Sequence, residues 1–193
     1  PVAEIRELCA RALAGETLDE AALVRLLAVG DDAADELYAA AREQRRRHFG
    51  DAVFLYGLVY FSTFCRNACA FCYYRVGNPE SPRYRKSPDE VVAICRDLAD
   101  SGVDLLDLTM GEDPVFLESG AARLVDLVGA VRAATGRPVM VSPGVVDDMV
   151  LRDLRRHGAD WYALYQETHT PQLYERLRLG QPFAARAAAR AAA

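Results

Sequence analysis

Apolar residues follow helical spacing through residues 1–50 of the chain. The repeating apolar positions are Ile5, Leu8, Leu13, Leu23, Leu26 and Leu27, as on the buried face of amphipathic helices. Thr17 and Glu20 have the spacing of a capping box and predict the start of a second helix. Asp31-Asp32 predicts the start of a third, which runs into the basic residues Arg45–Arg47 at a solvated end. Residues 1–50 are therefore predicted to form a helical extension.

From residue 53 onwards, short apolar runs alternate with amphipathic stretches of helical length. The runs predict strands at Val53–Ser62, Val103–Thr109, Pro138–Ser142 and Trp161–Tyr165, and the stretches predict helices at Pro88–Ser101, Leu117–Thr135 and Asp147–His157. Gly102, Gly136 and Gly158 predict the ends of these helices, because glycine tolerates the left-handed conformation found there. A fourth helix is predicted to begin near Thr170-Pro171. This alternation indicates a parallel α/β domain with four β–α units.

The predicted domain of residues 51–193 is the N-terminal portion of a TIM-like (β/α) barrel. Four parallel strands are too few to close a barrel, and an open set leaves backbone groups unpaired at its edges. The chain ends in an alanine-rich stretch around Ala184-Ala185-Arg186 that carries no further strand pattern. We therefore expect the chain to be a fragment of a longer protein, the alternative being a sheet of another topology.

The composition is that of a globular protein, since 51% of the 193 residues are hydrophobic and 26% are charged. A net charge of −5 argues against nucleic-acid and anionic-membrane partners, which require a basic surface, and favours a small-molecule partner. No apolar run approaches the about 20 residues of a membrane helix. Residues 1–30 lack the basic segment followed by an apolar segment that is typical of a signal peptide. We expect a cytoplasmic protein.

Three of the five cysteines, Cys65, Cys69 and Cys72, fall in one short segment directly after the first predicted strand. A CxxxCxxC loop can bind three irons of one cubane and leave the fourth iron free for a cofactor or substrate. Zinc is the alternative, but a structural zinc site needs a fourth protein ligand, and no histidine lies near the loop in the sequence. We interpret the segment as an iron–sulfur site, and Cys9 and Cys95 as core or surface thiols.

Polar side chains follow the other three predicted strands as well. Asp107, Glu112 and Asp113 lie at the end of the second strand, Ser142 at the end of the third and Glu167 at the end of the fourth. The carboxyl ends of barrel strands build ligand sites, and carboxylates there favour a cationic ligand. Each residue also has a structural alternative: Glu112 and Asp113 as helix caps, Ser142 in a turn and Glu167 on the surface.

The cysteine segment, with Phe71 before its last cysteine, resembles the defining loop of the radical S-adenosylmethionine (AdoMet) superfamily. The resemblance implies a [4Fe–4S] cluster on the three cysteines, AdoMet on the free iron, and Phe71 beside the adenine. Gly111-Glu112 resembles the family's GGE-like segment. Glu167 and Arg186 resemble the pair that holds the methionine end of AdoMet, where Arg186 clamps the carboxylate. The alternative for Arg186 is a solvated helix residue. Tyr73 and Ser142 complete the implied cofactor-binding residues.

Five stretches resemble the methylornithine synthases, the lysine mutases of pyrrolysine biosynthesis. They are Tyr60–Cys65, Phe71–Tyr74, Arg83–Arg85, Asp107–Pro114 and Ala163–Thr168. The resemblance implies isomerisation of L-lysine to 3-methylornithine through a 5′-deoxyadenosyl radical, supplied with an electron by a reducing donor. It also implies that Asp107 holds a substrate ammonium group. The alternative for Asp107 is a buried structural aspartate paired with an arginine.

Two other functions stay open at this point. A different radical AdoMet enzyme, of the hydrogenase-maturase or biotin-synthase kind, shares the helical extension and the cysteine loop. An inactive iron–sulfur or zinc-binding scaffold is the alternative from another class. Since a complete barrel has about eight β–α units, a fragment with four of them contains only part of the substrate pocket.

Overall fold

The computed structural model of the protein describes residues 2–193, which fall into two compact units. The first unit ends at Val53, and the second comprises Phe54–Ala193. Across the described residues, no helix combines the length and the apolar character needed to cross a membrane.

The first unit consists of helices α1 (Val2–Leu13), α2 (Glu20–Leu27) and α3 (Asp31–Phe49). Its small core is formed around Ile5, Cys9 and Ala33. The periodic apolar pattern of the sequence therefore predicted the helical character of this part of the chain correctly, and of the two positions left open for Cys9, core or surface, the structure shows the core.

The start of α3 at Asp31 is as predicted, but the capping box predicted for α2 is wrong. Asp19 is the N-cap of α2, and its carboxylate accepts a hydrogen bond from the backbone N of Ala22 at 2.8 Å. Glu20 is the first helical residue, so it occupies the position after the cap rather than the third position that a capping box with Thr17 requires. A carboxylate next to the helix start also complements the helix dipole.

The second unit is a parallel α/β structure with a four-stranded sheet in the order β1-β2-β3-β4. The strands are β1 (Tyr56–Ser62), β2 (Leu105–Met110), β3 (Val139–Ser142) and β4 (Ala159–Tyr162), and the helices are α4 (Pro88–Asp100), α5 (Pro114–Thr135), α6 (Asp148–Arg156), α7 (Pro171–Leu177) and α8 (Phe183–Ala192). All three strand pairs are parallel, which confirms the predicted fold class of a partial TIM-like barrel.

Three features of the second unit differ from the prediction. Strand β4 ends at Tyr162, so Tyr165 lies beyond the strand that was expected to contain it. Helix α5 begins at Pro114 and is interrupted by non-helical backbone at residues 118–121, whereas one continuous helix from Leu117 was expected. The alanine-rich end forms α8, whereas the sequence had suggested a helix there only as the alternative interpretation of Arg186. The glycines after α4, α5 and α6 all have positive φ, as predicted.

The sheet separates two chemically different faces, because successive side chains of a strand point to opposite sides. On one face of β2, Leu106 and Leu108 are fully buried in the core formed with helices α4, α5 and α6. The other face carries Asp107 and Thr109, and Asp107 stands beside Leu58 of β1 in the strand register. The polar side chains expected at the site therefore project away from the main hydrophobic core.

The central strand should be the part of the second unit most sensitive to loss of apolar volume. We expect Leu108→Ala to lower the free energy of unfolding by about 3 kcal/mol, because the side chain is 0% exposed and leaves a cavity. Leu179→Ala is the matched control, since Leu179 is 49% exposed, and should change it by less than about 0.5 kcal/mol. Urea unfolding followed by circular dichroism measures both, and equal effects would contradict the assignment of β2 to the core.

Candidate functional site

The three cysteines lie on an irregular loop that follows β1, at the carboxyl edge of the sheet. Cys69 is buried, Cys65 and Cys72 are half-buried, and all three are free thiols. They line one cavity of about 240 Å³ together with residues from the ends of β2, β3 and β4. The predicted convergence of four strand ends on one place is therefore present in the structure.

Arginine side chains hold the shape of the cysteine loop. The guanidinium of Arg83 donates hydrogen bonds to the backbone carbonyls of Thr63 at 2.6 Å, Tyr74 at 2.9 Å and Arg75 at 2.7 Å. Thr63 and Tyr74 stand on either side of the cysteines, so one side chain ties the two ends of the loop together. An irregular segment needs such partners for its backbone carbonyls.

Gly111 allows the end of β2 to approach the cysteine loop closely. A Cβ atom at this position would lie 2.2 Å from the carbonyl oxygen of Phe64 and 2.8 Å from Cβ of Cys65. The backbone N of Gly111 also donates to the carbonyl of Ser62 at 2.9 Å. The Gly of the Gly-Glu pair is thus required by the distance between two backbones.

Glu112 is buried between two arginines. Its Oε2 accepts hydrogen bonds from Arg66 at 3.1 and 3.2 Å, and its Oε1 pairs with Nη2 of Arg186 at 3.2 Å. Its side chain also packs against Gly144, where a Cβ would lie 2.2 Å from Cγ of Glu112. The cap alternative is wrong for Glu112, because Asp113 is the N-cap of α5.

Asp113 is the N-cap of α5, as the helix-cap alternative predicted. Its carboxylate accepts hydrogen bonds from the backbone N of Val115, from Oγ of Ser62 at 2.5 Å, and from Nε and Nη2 of Arg85 at 2.7 and 2.9 Å. Burial raises the pKa of Asp113, but these hydrogen bonds outweigh it and hold the pKa below its usual value. Asp113 therefore joins the start of α5 to the end of β1.

Arg186 is buried at 2% exposure, so the alternative of a solvated helix residue is wrong. Besides Glu112, its guanidinium donates to the hydroxyl of Tyr174, the carbonyl of Tyr165 and Oε1 of Gln181, at 2.9 to 3.0 Å. A planar guanidinium with this many partners has a fixed orientation. Helix α8 places it in the wall of the cavity.

Glu167 also lines the cavity, but its nearest cation is Arg178 rather than Arg186. Nη2 of Arg178 lies 2.6 Å from Oε1 of Glu167. Glu167 has a φ of 66°, a conformation that costs free energy for a non-glycine residue and is often found at functional sites. Sequence reasoning missed Arg178, because it follows α7 in a stretch without any strand-end or motif pattern.

Asp107 is fully buried on β2 and carries an atom without a partner. The hydroxyl of Thr109 donates to Oδ1 at 2.9 Å, while Oδ2 has no hydrogen bond among the described residues. Burial raises the pKa of Asp107, and the Thr109 hydrogen bond lowers it only in part. The alternative of a structural aspartate paired with an arginine is wrong, because no ion pair with Asp107 is present in residues 2–193.

The remaining predicted residues divide into two groups. Phe71 and Ser142 line the cavity, and the hydroxyl of Ser142 donates to the carbonyl of Ala163 at 3.2 Å. Tyr73 is outside the cavity lining, and its hydroxyl donates to the carbonyl of Glu80 at 2.9 Å. Sequence reasoning missed several lining residues, namely Tyr60, Asn67, Thr109, Met110, Gly144, Ala163, Leu164, Tyr165 and Arg178.

The chemistry of this donor set fits an iron–sulfur cubane with a polar ligand beside it. Three thiols from one loop can each bind one iron. Burial raises the pKa of the Cys65 thiol, an effect that binding to a cation offsets. Within residues 2–193, no three His, Cys, Asp or Glu side chains are arranged to hold a single metal ion. Nε of Arg178, a residue of the cavity lining, is buried without a partner among the described residues.

A partial TIM-like barrel with a CxxxCxxC loop at its carboxyl edge defines the class of structure, and comparison with known proteins defines the family. The family model described as the radical SAM superfamily matches residues 59–193. The chain belongs to the radical SAM superfamily. Membership implies a [4Fe–4S] cluster and AdoMet as cofactors, as the cysteine loop predicted.

The chain is similar to 3-methylornithine synthase of Methanosarcina acetivorans, with 48% identity over 152 residues, which are 79% of this chain and 43% of that protein. A crystal structure of methylornithine synthase superposes with a TM-score of 0.89 at 41% identity and covers 96% of this chain and 55% of the other. The FeFe-hydrogenase maturase subunit HydE of Thermotoga maritima is 31% identical over 90% of this chain and 48% of its own length. The predicted resemblance to the methylornithine synthases is confirmed, and the chain spans about half the length of these relatives.

The close approach at Gly111 can be tested by adding one methyl group. We expect Gly111→Ala to lower the free energy of unfolding by about 2 kcal/mol, because the Cβ collides with backbone that cannot turn away. Iron bound after anaerobic reconstitution should fall as well. Gly77→Ala is the control in the same loop, since a Cβ there has no atom within 4 Å. Equal stability and equal iron content in the two variants would contradict the argument.

The raised pKa of Asp107 predicts how the effect of Asp107→Asn on the free energy of unfolding depends on pH. A folded pKa above the unfolded value means that ionisation of Asp107 destabilises the fold at neutral pH, and this penalty disappears as the pH falls below the unfolded pKa. Asp107→Asn should therefore raise the free energy of unfolding by about 1 kcal/mol at neutral pH, and the gain should shrink in acid. Urea unfolding at neutral and at acid pH measures this difference in stability. Asp126→Asn is the control, because Asp126 is exposed. A variant less stable than the parent at neutral pH would refute the prediction.

Proposed function

We propose that the protein is a radical AdoMet isomerase that converts L-lysine to 3-methylornithine, as the names of its similar relatives suggest. The observation that carries the proposal is the single cavity that contains all three cysteine thiols and the ends of β2, β3 and β4. The fold alone would support many activities, so the argument depends on these side chains.

Cys65, Cys69 and Cys72 would hold the cluster, and Phe71, which lines the same cavity, would offer an aromatic surface to the adenine of AdoMet. Gly111 provides the space for the loop, and Glu112, Ser142 and Glu167 line the cavity in which the cofactor would bind. When bound, the cluster and AdoMet supply an organic radical able to remove a hydrogen atom from the substrate.

Arg186 is oriented to hold a carboxylate group of the cofactor. Its guanidinium is fixed by Glu112, Tyr174 and Tyr165, so little conformational freedom is lost on binding. Glu112 is paired with Arg66 as well as with Arg186. Glu112 therefore keeps a cationic partner when a ligand carboxylate also binds Arg186.

Asp107 holds an ammonium group of lysine through its free Oδ2. An ionised carboxylate that is buried without a cation costs free energy, and an ammonium ligand removes that cost. Asp107 therefore favours a substrate with a positively charged amino group over a neutral or acidic one. Thr109, which donates to Oδ1, fixes the carboxylate orientation.

Anaerobic reconstitution with iron and sulfide tests the cofactor part of the proposal. The protein should bind a cluster whose visible absorption changes when AdoMet is added, because AdoMet occupies the free iron. Cys65→Ser, Cys69→Ser and Cys72→Ser should each lose the cluster, whereas Cys9→Ala, which changes a thiol of the first unit, should keep it. A colourless protein, or a cluster that AdoMet does not perturb, would refute the proposal.

Turnover with a low-potential reductant tests the substrate part. The assay uses the complete gene product, because the part of the barrel described here contains only part of the substrate pocket. That protein should form 3-methylornithine from L-lysine, and Asp107→Asn in it should reduce kcat/KM at least about tenfold, the loss of roughly 1.4 kcal/mol of transition-state binding. Norleucine lacks the side-chain ammonium and should bind the parent protein more weakly than lysine does. The Asp107→Asn variant should bind norleucine and lysine with equal affinity. Cleavage of AdoMet without any lysine product would favour another member of the family, such as a relative of HydE.

A further inference from the structure

The end of α7 and the residues after it contact the cysteine loop directly. The carbonyl of Leu177 accepts a hydrogen bond from the backbone N of Ala70 at 2.8 Å. Nε2 of Gln181 lies 3.1 Å from Sγ of Cys69, and Nη1 of Arg178 lies 3.9 Å from the same sulfur. The middle cysteine of the loop is thus held by residues more than 100 positions away in the sequence.

Arg178 is a buried cation in the lining of the cavity, next to the sulfur of Cys69. It is 8% exposed, and its guanidinium carbon lies 5.6 Å from the centre of the Phe71 ring. Nη2 donates to Oε1 of Glu167 at 2.6 Å and to the carbonyl of Tyr165 at 3.1 Å. A buried cation needs negative charge nearby to offset its desolvation, and Glu167 supplies it.

Gln181 is oriented by two arginines so that its amide nitrogen faces Cys69. Its Oε1 accepts hydrogen bonds from Nη1 of Arg178 at 3.3 Å and from Nη2 of Arg186 at 2.9 Å. Arginine donates and never accepts, so the amide oxygen must face the guanidinium groups. The amide nitrogen is then the group that faces the sulfur.

We propose that Arg178 and Gln181 are positioning residues that hold Sγ of Cys69 and raise the reduction potential of the cluster bound there. Hydrogen bonds to a cluster sulfur are among the factors that set the potential of an iron–sulfur centre. One electron from a low-potential donor adds one negative charge to the cluster, and a nearby cation and an N–H donor stabilise that charge. The inference rests on cluster binding by the proposed function and is independent of the substrate.

The charge of Arg178 and its fork of donors make separable contributions. Arg178→Gln removes the charge, while Arg178→Lys keeps the charge and loses the planar fork. Gln181→Leu removes the N–H donor and leaves Arg178 in place. Arg176→Gln is the matched control, because Arg176 is an exposed arginine on α7, two residues before Arg178.

Potentiometric titration of the anaerobically loaded protein, followed by the EPR signal of the reduced cluster, tests the proposal. Arg178→Gln should shift the equilibrium about tenfold towards the oxidised cluster, which equals a potential lower by about 59 mV for one electron. Gln181→Leu should lower the potential by a smaller amount, Arg178→Lys should recover part of the loss, and Arg176→Gln should leave the potential unchanged.

Potentials of Arg178→Gln and Gln181→Leu that equal that of Arg176→Gln overturn the proposal. If Arg178→Gln does not fold, as circular dichroism will show, the comparison of Arg178→Lys and Gln181→Leu with the control decides the question in the same way. The titration contains no substrate, so a failure to turn over lysine refutes the proposed function without affecting this result.

Discussion

The loop that carries Cys65, Cys69 and Cys72 has no regular secondary structure, so its shape depends on hydrogen bonds from other parts of the chain. Arg83 ties its two ends together through three backbone carbonyls. Leu177 binds its centre through a backbone hydrogen bond. Because buried backbone groups must be paired, each of these contacts restricts where the thiols can lie, and everything proposed for the cavity depends on that restriction.

Buried charge is the second organising feature of the site. Each buried arginine of the cavity wall is paired with a carboxylate, Arg186 with Glu112 and Arg178 with Glu167. Asp107 is different, because its Oδ2 has no partner in the part of the chain that the structure describes. The paired charges stabilise the wall, whereas the buried carboxylate of Asp107, which is not among the residues that line the cavity, has no cation to offset the cost of its burial.

Much of the site was predictable because its residues follow strands. Glu112, Ser142 and Glu167 were expected at one edge of the sheet, and all three line the cavity. The partners of these residues were not predictable in the same way. Glu167 is paired with Arg178, and Arg186 with Glu112, and neither ion pair was predicted. Spacing along the chain does not reveal which arginine reaches which carboxylate once α7 and α8 fold back over the site.

The alternation of strands and helices, the parallel α/β class and the CxxxCxxC loop could all be recognised before folding was considered, because periodicity and short spacings are local properties of the chain. The tertiary structure decided the position of the Asp19 cap, the interruption of α5, the burial of Arg186 and the contact of Gln181 with Cys69. These features depend on distances between residues far apart in the sequence or on competition between neighbouring caps, and packing fixes both.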